Sequence, residues 1–178
     1  GTGLVGVARD SRHTGTVPAL AAGFIEIELD VETGRVEILD YVGVADCGVV
    51  LHPQSLATQV RGGAVMGFGM ALTERHVYDP RWGLPAAVGL HQAKPPTYLD
   101  VPTETEWSAV GIADPENPVG AKGIGEPLMG CAAAALLCAV SDALGGHYFN
   151  RNPIVTDMIV NAAAQRAPSQ GPLAVNSQ

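Results

Sequence analysis

Residues 24–31 alternate, with Ile25, Ile27 and Leu29 on one side and Glu26, Glu28 and Asp30 on the other. A period of two places the apolar set on one face of a β-strand. A second strand-like run at 36–44 follows Glu32-Thr33-Gly34-Arg35, so the pair predicts a β-hairpin. After His52-Pro53 the pattern turns helical, from Pro53 or Gln54 to Leu72, with Gly62, Gly63, Gly67 and Gly69 inside it. Each glycine costs about 1 kcal/mol against Ala in a helix interior, so four of them require close approach by another backbone or by a ligand. Gly63 and Gly67 are four apart and share one face.

Residues 73–120 carry seven prolines with little periodicity. They predict a loop-rich excursion over other surfaces, with one strand near 104–110. The stretch 128–144 is rich in Ala, Leu, Cys and Val and polar only at Ser141 and Asp142, which predicts a largely buried helix stopped by Gly145-Gly146. A last helix is expected from Pro153 or Ile154 to Ala164, with Thr156, Asp157 and Asn161 on its polar side. The fold class is α+β: a hairpin and short strands packed with a Gly-rich helix and two further helices. One domain spans 1–167, and a disordered tail is expected over 168–178.

The chain has 178 residues and is 47% hydrophobic, enough for one true core. Only 16% of residues are charged and the net charge is −8, with no basic patch, which argues against nucleic acid as a partner. Low charge together with 22 glycines and 13 prolines implies a surface covered by other protein. Cys47, Cys131 and Cys138 are scattered, with no spacing suited to zinc or an iron–sulfur cluster, and no metal-ligating residue is assigned. Cys131 and Cys138, seven apart, share a helix face and are expected to pack as small hydrophobes. Neither a signal peptide nor an apolar run long enough to span a membrane is read, so a reducing cytoplasm is the expected compartment. The chain starts at Gly1 without a Met, as a processed chain or a piece of a longer polypeptide would.

The segment Lys122-Gly123-Ile124-Gly125-Glu126-Pro127 holds a carboxylate on a helix doorstep. Gly125 has access to backbone angles closed to other residues, and Pro127 has φ fixed near the helical value with no N–H to waste in a first turn. A carboxylate held on such a corner has the character of a base. Spacing alone serves a capping charge equally well, worth a few tenths to about 1 kcal/mol.

This segment and its small-residue helix resemble the Gly-Glu-Pro active-site segment of the xanthine dehydrogenase/aldehyde oxidase family of molybdenum hydroxylases. Asp46-Cys47-Gly48, His52-Pro53 and Gln59-Val60-Arg61-Gly62-Gly63 through Gly67 are similar to the family's DCG…NP…Q-x-x-GG-x-x-x-G region, near the end of its molybdenum-binding subunit. The likeness runs from about Phe24 to Ala164. It implies molybdopterin with molybdenum, as a dinucleotide, in an enzyme that hydroxylates an aldehyde or N-heterocycle with oxygen from water. Glu126 matches the family's general base, and Gln59 the glutamine that hydrogen-bonds the pterin. Gly62, Gly63, Gly125 and Lys122 are the further cofactor-binding candidates; Lys122 is also placed to pair with Glu126.

Two positions depart from the pattern. Met66 stands where the family often has a second glutamine, and His52 where it usually has Asn; His52 is expected to bond a nearby backbone group. The implied partners are the remainder of the molybdopterin-binding subunit, an iron–sulfur subunit or domain and commonly a flavin subunit, with a small-molecule substrate. Alone the chain is expected to be inert. Two other classes stand beside this one: a noncatalytic assembly or interaction subunit of such a complex, and a thiol hydrolase built on Cys47 and His52.

Overall fold

The computed structural model describes residues 3–7, 15 and 17–167. The expected tail at 168–178 lies outside the described residues. Strands β1 (Ala21–Asp30) and β2 (Arg35–Ala45) form the antiparallel hairpin that the alternation predicts. Asp30 closes its turn, accepting from the Glu32 and Thr33 amides and from the Thr33 hydroxyl, and these bonds hold its carboxyl below the usual range. Strand β3 (Glu106–Ala109) falls inside the expected 104–110 and joins the other edge of β2 in parallel, Val42 opposite Glu106 and Ala45 opposite Ala109.

Helix α1 runs from Pro53 to Leu72, as expected, and His52 caps it: its Nδ1 accepts the Ser55 amide at 3.0 Å. That is the backbone bond foreseen for His52, an imidazole nitrogen doing the work of a capping oxygen. The excursion contains one short helix that the sequence pattern does not announce, α2 (Leu90–Ala93). Helix α3 (Glu126–Ala143) ends at Leu144, where Gly145 and Gly146 at φ 72° and 85° return their amides to Asp142 and Ser141. Helix α4 (Thr156–Ala163) starts later than expected, because Ile154 is buried and its amide bonds Ala71 O at the end of α1.

Helices α1 and α3 lie against the sheet and against each other along a seam of small residues. A Cβ on Gly63 would stand 2.7 Å from Leu128 Cβ, and one on Gly67 2.5 Å from Met129 O and 2.8 Å from Ala132 Cβ. The two approaches advance together along both helices, so α1 and α3 run in the same direction. Tyr41, Phe68, Leu136, Val140 and Ile159 fill the larger core cluster around this seam. Tyr41 meets the Phe68 ring edge-on, and its buried hydroxyl lies 3.5 Å from Cys131 Sγ. Burial first, then the Cys131 contact, pushes its phenol up from the ordinary value.

The expectation of a largely buried α3 needs correction. Leu128, Ala132, Ala133, Leu136 and Val140 are buried, while Gly130, Ala134, Cys138 and Asp142 are exposed. Its apolar composition exceeds what this chain covers. Cys131 packs against Tyr41, in keeping with the packing role expected of it; Cys138 is exposed, so the same expectation fails for it among the described residues. With 18 residues and a mean hydropathy of 1.3, α3 also has the length and composition of a membrane span, contrary to the sequence reading. Its buried residues pack along α1 and β1, and 28% of the helix is buried within the fold.

Candidate active site

The Gly-Glu-Pro corner is held by its neighbours on both sides. Upstream, the loop at the end of β2 is stitched to 120–122: Gly48 bridges Ala121, the Val49 amide donates to Gly120 O, and the Lys122 amide donates to Cys47 O. Gly48 must be glycine there, at φ 67° with Gly120 O where a Cβ would stand. Next, Ile124 packs into the smaller core cluster of Ala45, Cys47, Leu56, Val60 and Leu128. Downstream, Leu128 is buried to 1% exposure. With Ile124 and Leu128 both turned into one cluster, Glu126 between them at the first position of α3 is turned out to solvent. Pro127, at the second position, fits the first turn without a missing amide partner.

Gln59 joins this corner from α1. It is exposed, and its Oε1 lies 3.9 Å from where a Cβ of Gly125 would be. Gly62 follows one turn on with nothing within 4 Å of a built Cβ, and the same holds for Gly123 and Gly130 around Glu126. Met66, exposed, continues the stripe of Gln59 and Gly62. The structure therefore brings Gln59 to Gly125, beside the exposed Glu126, with Gly62 exposed one turn further along α1.

Two sequence-based assignments change. Gly63 is buried against Leu128, so its missing side chain serves the seam between helices. Gly125 sits at φ −165° and ψ −86°, neither extended nor helical, just before the first position of α3. Lys122 pairs with Asp46, not Glu126: Nζ donates to Asp46 Oδ2 at 2.6 Å and to Pro18 O at 3.1 Å. Asp46 was missed as a site residue. The only signal for it was its place beside Cys47-Gly48, and nothing in the sequence announces a partner 76 residues away. Cys47 is buried and donates to Gly48 O, with its side chain in the core cluster; His52 is engaged as a cap. Among the described residues no thiol–imidazole hydrogen bond joins them, and the hydrolase reading is set aside.

A family model described as a molybdopterin cofactor-binding domain matches residues 7–102, more than half of the chain. This chain belongs to that family. Within it, the relatives are molybdenum-binding subunits of the xanthine dehydrogenase/aldehyde oxidase group. The domain is 34% identical over 148 residues to the nicotine 6-hydroxylase large subunit of Paenarthrobacter nicotinovorans, covering 82% of this chain and 18% of that one. It is 34% identical over 134 residues to a xanthine dehydrogenase molybdenum-binding subunit of Escherichia coli, covering 75% and 18%. Among solved structures it superposes on the quinoline 2-oxidoreductase of Pseudomonas putida 86 with a TM-score of 0.72 at 32% identity, over 79% of this chain and 18% of that one. The molybdopterin-binding domain thus spans about a fifth of the length of the relatives it matches.

Proposed function

We propose that this domain supplies the general base and part of the pterin cradle of a molybdenum hydroxylase that inserts oxygen from water into an aldehyde or an N-heterocycle. The observation that carries the reading is Glu126, turned outward between two buried anchors with the Gln59 amide beside its corner. The residues fit the cofactor. Gln59 offers donors and an acceptor on an exposed face, and Gly62, Gly123 and Gly130 leave that surface bare of side chains. Gln59, Gly62 and Gly125 would hold a pterin edge there, whether or not the cofactor carries a nucleotide tail. When bound, molybdopterin with its metal supplies the two-electron redox chemistry.

The chain's own part is acid–base and geometric. A carboxylate oxygen of Glu126 takes the proton released as a water-derived oxygen becomes bonded to the substrate carbon, and it needs a fixed position to do so. Anchoring by Ile124 and Leu128 limits its reach to one region. Exposed Tyr98, Leu99 and Val88 and the outer face of α3 mark surface that the remainder of the enzyme covers, with iron–sulfur and flavin subunits as electron exits. Three free thiols suit assembly in a reducing cytoplasm. On this reading the domain is inert alone.

Glu126→Gln in the assembled, cofactor-loaded enzyme tests the assignment. Size and most hydrogen bonding persist, but the proton has no acceptor. Turnover should fall about 100- to 10,000-fold, in kcat as well as kcat/KM. A fully loaded variant that reduces its metal at the wild-type rate would refute the base and leave Glu126 a helix-terminal charge.

A further inference from the structure

The Asp46–Lys122 pair is built where it controls the base, and we infer that Asp46 is a positioning residue for Glu126, acting through Lys122. This rests on Glu126 being the base. The pair is short, at 2.6 Å, and largely enclosed, with side-chain exposures of 20% for Asp46 and 12% for Lys122. Asp46 sits just past the end of β2, and Lys122 four residues before the first position of α3. From Lys122 only Gly123, Ile124 and Gly125 lead to Glu126, and the two glycines lack side chains that could fix their path. The side chains that hold the path are Lys122 before it, through Asp46, and Ile124 within it, through the core cluster.

The geometry divides the labour. Backbone bonds from Gly48 and Cys47 to residues 120–122 set where the segment lies beside the strand end. The ion pair fixes the last side chain before the flexible glycines and ties it also to Pro18 O. With two of its three ammonium protons so engaged, Lys122 is a clamp on the corner. Ile124 then sets depth and the ion pair sets lateral position. A shift of about 1 Å at a base is enough to cost on the order of a hundredfold in rate.

The test uses the assembled, cofactor-loaded enzyme. Asp46→Asn keeps the shape and removes the charge. Its kcat should drop about 10- to 100-fold with KM and cofactor content near wild type, and amide hydrogen exchange should quicken over 120–126. In a Glu126→Gln background, Asp46→Asn should cost nothing more in kcat, because the residue acts through the base. Should Asp46→Asn alone fail to fold around an unpaired ammonium, the double variant Asp46→Asn with Lys122→Met removes both charges and should show the same kcat loss. Wild-type kcat in either form overturns the proposal. So does an equal further loss in both Glu126 backgrounds, or a loss that tracks cofactor content, since either marks a purely structural role. A Glu126→Gln enzyme at wild-type speed sinks the base assignment and this proposal with it; a slow Glu126→Gln enzyme beside a normal Asp46→Asn enzyme sinks this proposal alone.

Discussion

A Cβ built on Gly63 would stand 2.7 Å from Leu128 Cβ, while one built on the adjacent Gly62 would meet nothing within 4 Å. The two residues belong to two regions of α1. One is the seam, where Gly63 and Gly67 let α3 lie close enough to present its amino end beside Gln59. The other is the mouth, where Gly62 and the glycines around Glu126 leave bare backbone facing outward. Helix interiors penalise both alike, by about 1 kcal/mol each. At the seam the cost is offset by contact within this chain; at the mouth nothing among the described residues offsets it. On the proposed function, such a glycine makes room for the pterin.

The largest expected effect breaks the seam. Gly67→Ala would drive a methyl into Met129 O at 2.5 Å and the Ala133 amide nitrogen at 2.8 Å, both backbone atoms that move only with the helix. Overpacking of this kind costs roughly 1–3 kcal/mol, and here the upper end applies even after the helix-propensity gain. Thermal unfolding of the assembled enzyme should shift down by several degrees, with the corner loosened as α3 is pushed away. An unshifted melting temperature would mean that α1 and α3 are not held at this distance.

What was legible in the sequence follows the same division. The hairpin was plain because period-two patterning reports a local face, and α1 was plain because Pro53 and the changed period mark its start. The pairing of β3 with β2 was not, since four residues 64 positions from their partners carry no local trace of register. Composition read α3 as buried, but apolarity reports only that a surface will be covered and not by which polypeptide. In the site, Glu126 and Gln59 stood out through their motif, whereas the roles of Gly62 and Gly63 could not be separated: neighbours in sequence, they differ only in what lies opposite in space. Lys122 was assigned toward Glu126 because it stands only four residues before it, yet its side chain turns to Asp46 instead.

The next prediction sharpens the mouth. Gln59→Ala removes an exposed amide beside Gly125, so the domain's stability should stay within about 0.5 kcal/mol. Cofactor retention should fall by a hydrogen bond's worth, about 1 to 2 kcal/mol, or five- to thirtyfold in loading. Molybdenum and pterin content per protein measures it. Unchanged content would return Gln59 to an ordinary surface position.

The smallest change asks the most pointed question. Gly62→Ala adds one methyl in open space on the exposed side of α1, so in the isolated fold it should be neutral or stabilising by up to about 1 kcal/mol. If the mouth is where the pterin meets backbone, that same methyl stands between them, and cofactor loading of the assembled enzyme should drop even as the melting temperature of the cofactor-free form rises. Opposite signs in two measurements on one variant are hard to obtain by any other route. A packing glycine would lose both stability and loading, as Gly67→Ala should. An idle surface glycine would gain stability and lose nothing, and that result would remove Gly62 from the cradle while leaving Glu126 and Gln59 to be judged on their own variants.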